Sequence, residues 1–150
     1  MVGLLVRNGW EIYFHSKLFS TQRKELRSKA QKLKIELSED EYTTHPDVKL
    51  LASCMKGIKE KIVLNPFDSQ FVLKGALKSY GRLKKGGLSD NRYRLFFKAD
   101  EKDGRKVLII IWLGYPRKEG ASNDCYKVFT KMVERGDFPD DLDELLQQCD

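Results

Sequence analysis

RYRLFFKADEKDGRKVLIIIWLGY, residues 92–115, decides the fold. Arg92–Ala99 (RYRLFFKA) and Arg105–Tyr115 (RKVLIIIWLGY) are both rich in β-branched and aromatic residues. Such side chains suit the pleated, half-buried surface of a sheet. Asp100–Gly104 between them is a short polar loop containing glycine, so the pair predicts an antiparallel hairpin. Val107–Leu113 is the longest apolar run, and it is far below the roughly 20 residues of a membrane span. It reads instead as a strand covered on both faces.

Outward from the hairpin, charge is the next feature. Lys74 to Lys118 holds thirteen basic residues against four acidic ones, a net +9. Residues 1–73 carry +3, and residues 119–150 carry −6, within a chain total of +6. A basic sheet with an acidic tail suggests a surface for a polyanion, with RNA or DNA first in line. The 150 residues suffice for one domain with a real core, residues 1–150, ending in an acidic tail from about 137 to 150. MVGLLVRNGW has no basic segment before its apolar stretch and no small-residue cleavage site, so no signal peptide is expected. Three distant cysteines, Cys54, Cys125 and Cys149, without metal-ligand spacing imply reduced thiols, a cytoplasmic protein, no metal and no cofactor.

Gly9–His15 alternates Trp10, Ile12 and Phe14 with Glu11, Tyr13 and His15 and predicts a strand. Ser16–Leu37 predicts a helix, with Leu18, Phe19, Gln22, Leu26, Ala30, Leu33 and Leu37 on one face. Glu39–Thr44 is expected to be a polar break. A second helix is expected from Pro46 to about Val63, with Val48, Leu51, Ala52, Met55, Ile58 and Ile62 as its stripe. Gln70–Tyr80 reads either as a short helical turn or as irregular chain. Asp124–Arg135 predicts a last helix with Gly136 just past its end, followed by a short amphipathic piece, Leu142–Leu146. Helices, then a sheet, then a helix make an α+β order.

Several segments together resemble one family. They are Tyr93-Arg94-Leu95-Phe96-Phe97, the apolar strand ending at Trp112, Asp124-Cys125-Tyr126-Lys127-Val128-Phe129, and Gly136-Asp137-Phe138-Pro139-Asp140-Asp141. Their order and spacing resemble the YhaV family of type II toxins, within the RelE-like superfamily of messenger-RNA-cleaving toxins. The resemblance runs from Gly9-Trp10 to Leu145-Leu146. It implies a RelE-like fold: an antiparallel sheet with two N-terminal helices packed on one face, and a C-terminal helix. It also implies a growth-inhibiting messenger-RNA endoribonuclease, free or ribosome-dependent. The implied partner is a PrlF-like antitoxin with a swapped-hairpin (AbrB-type) DNA-binding domain, and promoter DNA is met only through that complex.

RNA can be cut when its own 2′-hydroxyl attacks the adjacent phosphorus. The reaction needs a base, positive charge on the developing phosphorane, and an acid for the leaving 5′-oxygen. His15 and His45 lie outside the basic segment, so lysine, arginine and tyrosine are left to act. The resemblance assigns Arg82 and Lys84 as an R-x-K pair, whose two-residue spacing puts both on one face of a strand. It assigns Arg94 to phosphate binding and places basic residues at Arg117 and Lys118. The expected catalytic set is therefore Arg82, Lys84, Arg94 and Arg117, with Tyr115 for stacking or proton donation. Lys78, Lys85, Arg92 and Lys118 complete the RNA-binding set, and Lys84 and Lys85 compete for the active lysine. The family tyrosine that follows the basic loop is replaced here by Gly120-Ala121; either Tyr115 substitutes or the role is absent.

Plainer readings stand beside these. Lys98, Lys102, Arg105 and Lys106 read as a solvated hairpin tip. Tyr93, Phe97, Trp112 and Tyr126 read as core or interface. The rival functions are a non-catalytic RNA- or ribosome-binding inhibitor and a co-repressor acting with its antitoxin on DNA.

Overall fold

A computed structural model describes residues 5–84, 88–90 and 92–150. Five strands form one sheet in the order β1-β2-β5-β4-β3. They are β1 (Leu5–Arg7), β2 (Trp10–Phe14), β3 (Gly81–Leu83), β4 (Arg94–Lys102) and β5 (Arg105–Gly114). The expected α+β class holds. The sheet is mixed, however, and not wholly antiparallel. β1–β2, β5–β4 and β4–β3 pair antiparallel, while β2 runs parallel to β5. The cause is connectivity: three helices and β3–β4 separate β2 from β5, which leaves the direction of their pairing free of any tight turn.

β5 lies at the centre, which accounts for its apolar composition, since Val107–Ile111 are fully buried. The β4–β5 turn is tighter than expected. Lys102 pairs with Arg105, so only Asp103 and Gly104 turn, both at positive φ (52° and 77°). Asn8-Gly9, at 51° and 80°, makes the same kind of turn and adds β1, a strand not foreseen. A bulge shifts the β4–β5 register: Phe96 faces Trp112 but Phe97 faces Ile110. Ile111 and Trp112 consequently both pack on the same side of the sheet.

The helices cover both faces. α1 (Thr21–Glu36) and α3 (Pro46–Glu60) lie over the face that carries Ile12, Leu95, Phe97, Leu108 and Ile110. α4 (Cys125–Glu134) and α5 (Leu142–Leu146) cover the face carrying Phe96, Ile109 and Ile111. Three expectations need correction. Ser16–Ser20 is a turn of π-helix before α1, and α1 itself buries only Ala30, so the helix is mostly solvated. Glu39–Thr44 is a helix, α2, and not a break: Ser38 and Glu41 form a reciprocal capping box at its start. The buried stripe of α3 is Leu50, Cys54, Gly57 and Ile58, displaced from the stripe read in the sequence. Gln70–Tyr80 contains one short 3-10 turn, Gly75–Leu77.

The acidic tail folds back onto the body. Leu142 and Leu145 are buried, and Asp150 accepts hydrogen bonds from Ser16 (2.8 Å) and from Ser20. Lys102 reaches Asp143 at 2.9 Å, and Arg105 reaches Glu11 at 2.6 Å. Lys98 departs from the solvated-tip expectation: it is 8 % exposed, with its ammonium 5.6 Å from the centre of the Tyr80 ring.

Candidate active site

Arg82, Arg94 and Arg117 come from three separate elements and converge on one side chain, Tyr126. Arg82 sits on β3 opposite Phe96 of β4, and Arg94 sits two residues before Phe96. The pleat therefore points all three toward α4. Arg82 Nε donates to the Tyr126 hydroxyl at 2.9 Å, and Arg94 Nε donates to the same oxygen at 3.1 Å. The Arg117 guanidinium carbon lies 4.9 Å from the centre of the Tyr126 ring. Phe96 meets the Tyr126 ring edge-on at 5.5 Å and forms the floor of the site.

Each arginine is held by further bonds. Arg82 Nη1 donates to the Gln70 carbonyl at 2.6 Å. Arg94, only 9 % exposed, donates through Nη1 to the Tyr93 carbonyl at 2.8 Å. Arg117 Nη1 donates to Asp124 Oδ1 at 2.9 Å, and the same oxygen accepts from the Lys118 N–H at 2.7 Å. The other oxygen, Oδ2, caps α4 by accepting from the Tyr126 N–H at 3.2 Å. One carboxylate thus ties the basic loop to the start of the helix that carries Tyr126. Burial pushes the Asp124 carboxyl up, but its bonds from Arg117, Lys118 and Tyr126 outweigh this and hold it below the usual range. Pairing with Asp124 raises the Arg117 guanidinium further.

The electrostatic balance is positive. Three guanidiniums surround the phenol, and one buried carboxylate faces them; Glu119 is 4.0 Å from Arg117 on the solvent side. A cluster of planar forks with surplus positive charge suits a phosphodiester. The tyrosine oxygen receives two N–H donors, and among the described residues its own O–H donates to no partner. The thiols take no part: burial pushes Cys54 up to about 12 and Cys125 up to about 11. Among the described residues, no group of three or more His, Cys, Asp or Glu side chains could hold a metal ion.

The other expected residues are dispersed. Lys84 directly follows β3, is exposed, and makes no hydrogen bond or ion pair among the described residues. Lys85 lies outside the described residues. Lys78 lines a cavity of about 520 Å³ beside Tyr80 and Lys98. The Lys118 side chain is exposed, and Arg92 is paired with Asp90 at 3.0 Å. Tyr115 stands apart from Tyr126: its ring packs at a tilt against Tyr93 at 4.6 Å, and Tyr93 packs into the core on the α1–α3 side. Two members of the cluster escaped the sequence reading, Tyr126 and Asp124. Tyr126 falls on the apolar face of α4 and reads as core. The usable signal was an N-cap aspartate two residues before a tyrosine, directly after a basic loop.

Comparison with known proteins places the chain in a family. A family model described as "Toxin with endonuclease activity, of toxin-antitoxin system" matches residues 13–150. The toxin YhaV of Escherichia coli O6:H1 is 35% identical over 151 residues, covering 95% of this chain and 94% of the relative. The ribonuclease toxin YhaV of Escherichia coli K12 is 34% identical over the same share of each chain. No solved structure matches the chain. With nearly its whole length matched, from β2 to the end of the acidic tail, the chain belongs to the YhaV family of toxin-antitoxin endonucleases.

Proposed function

We propose that this chain is an endoribonuclease that cleaves messenger RNA through the strand's own 2′-hydroxyl. The convergence of Arg82, Arg94 and Arg117 on the Tyr126 hydroxyl carries the reading. In it, Arg94 and Arg82 grip the scissile phosphate, and Arg117 offsets the charge that grows on its oxygens. Lys84, or Lys85 next in the sequence, acts as the uncharged amine and takes the proton from the 2′-OH. The 2′-oxygen bonds to phosphorus, and the bond to the 5′-oxygen breaks. Tyr126 donates its O–H proton to that leaving oxygen, and the products are a 2′,3′-cyclic phosphate and a free 5′-hydroxyl. The name of the Escherichia coli K12 relative, a ribonuclease toxin, supports the substrate class.

A PrlF-like antitoxin is the proposed neutralising partner, the cytoplasm the proposed compartment, and free or ribosome-bound messenger RNA the proposed target. Among the described residues no helix is long and apolar enough to cross a membrane. The test uses the purified chain, a short RNA, and the same RNA with one 2′-deoxy position at the cleaved bond. Cleavage of the first in the presence of a chelator, a cyclic phosphate end, and an intact second strand are expected. Loss of cleavage on chelation, or scission of the deoxy strand at that bond, would overturn the mechanism.

A further inference from the structure

Resting on the ribonuclease reading, we propose that Tyr115, braced by Tyr93 and flanked by Arg92, is a stacking subsite for a nucleobase next to the scissile phosphate. Four observations on the side of the sheet opposite Tyr126 carry this. Tyr115 is 44% exposed, whereas most rings of comparable size in the chain are buried. Its ring does not hang free: Tyr93 lies under it at 4.6 Å with 31° between the planes. The Arg92 guanidinium carbon is 5.3 Å from its centre, and Asp90 holds that guanidinium through bonds at 3.0 and 3.3 Å. An aromatic face with an adjacent guanidinium is the chemistry that holds an unpaired base, because every base has a π-face.

The subsite is also joined mechanically to the arginine cluster. Arg94 pairs with Gly114 at the end of the sheet, so Tyr93 and Tyr115 are the next residue outward on each strand. The Arg117 N–H donates to the Arg92 carbonyl at 2.6 Å, which links the phosphate-facing loop to the residue beside Tyr115. Tyr93 and Arg94 are consecutive and point to opposite faces. An RNA strand crossing the strand ends would present its phosphate to Arg94 and Arg117 and turn a neighbouring base onto Tyr115.

Two cavities meet at the Tyr93–Tyr115 pair. One, of about 310 Å³, is lined by Gln22, Lys29 and Leu50; the other, of about 380 Å³, by Thr44, Asp47 and Lys49. Both lie at the lower end of the range for small-ligand sites, and their rims offer polar groups to a base edge.

The test binds wild type, Tyr115→Ala, Tyr115→Phe and Arg92→Ala to an RNA made uncleavable by one 2′-deoxy nucleotide. A second strand lacks the base beside the blocked bond, and a third carries 2-aminopurine there. Tyr115→Ala is expected to bind the base-bearing strand roughly 5- to 140-fold more weakly, from the worth of one stacked base. It should bind the abasic strand as wild type does, and 2-aminopurine quenching should disappear with it. Tyr115→Phe should recover the lost affinity, and Arg92→Ala should fall between the two. Equal losses on both strands would mean that Tyr115 acts through folding, and no loss on either would mean that no base stacks there. Both results overturn the subsite and leave the ribonuclease reading untouched. Wild type that neither binds nor cuts any RNA would overturn the ribonuclease reading itself.

Discussion

Asp124→Asn is the perturbation with the clearest expected size. The side chain is 5% exposed and accepts three hydrogen bonds, two on Oδ1 and one on Oδ2. Asparagine offers one carbonyl oxygen and one NH2 group. If its oxygen serves Arg117 and Lys118, the NH2 faces the Tyr126 N–H and the helix cap is lost, at about 1 kcal/mol. The Arg117 bond keeps its charged donor but loses the charge of its acceptor, at roughly 1–1.5 kcal/mol, the difference between a bond to a charged group and a neutral one. Together these give a loss of about 2–2.5 kcal/mol, set against a typical stability of about 5–15 kcal/mol. Urea unfolding followed by tryptophan fluorescence, at pH 7 and pH 3, measures it. The Asp124 carboxyl titrates below its ordinary 3.8 when folded, so the unfolded chain takes up the proton first as pH falls. The ionic contribution is thus complete above about pH 5 and is lost as pH drops through the lowered folded value. The gap between wild type and Asp124→Asn should be full at pH 7 and clearly narrower at pH 3. A gap below about 0.5 kcal/mol at pH 7, or one unchanged at pH 3, would refute the claim that this carboxylate fastens the loop to α4.

Tyr126→Phe keeps the ring under Arg117 but removes the hydroxyl that both other arginines address. Turnover on RNA is expected to fall about 10²- to 10⁴-fold with little change in KM, and turnover within a few-fold of wild type would assign the proton donor elsewhere. Gly114→Ala tests the packing that seats α4. An added Cβ would lie 2.8 Å from Cys125 Cβ and 2.8 Å from the Trp112 ring, so a loss of about 1–3 kcal/mol in thermal unfolding is expected, with weaker cleavage because Tyr126 follows Cys125.

How the site assembles explains which residues were legible beforehand. Arg82, Arg94 and Arg117 stood out because a resemblance supplied positions and the surplus of positive charge supplied a reason. Tyr126 did not, since its place in α4 satisfies the three- and four-residue periodicity of a core residue. Its bonds to Arg82 and Arg94 span 44 and 32 residues, beyond the reach of any local pattern. Lys98 was misread for a related reason. A lysine near a polar turn looks solvated, but the longer β4 places it mid-strand, over Tyr80. The Asn8-Gly9 turn carries a local signal of its own, since an Asn-Gly pair between apolar runs favours a two-residue hairpin.

By itself the sequence determined the β4–β5 hairpin, the helical character of 21–36, 46–60 and 125–134, the basic middle and the acidic end. These follow from side-chain period and turn chemistry, which act over a few residues. Tertiary structure alone decided that β2 runs parallel to β5, that the tail folds onto Ser16 and Ser20, and that three guanidiniums meet at one phenol. Those outcomes depend on which distant surfaces bury each other, and hydrophobic burial is non-directional, so the local pattern says that a face will be covered without saying by what.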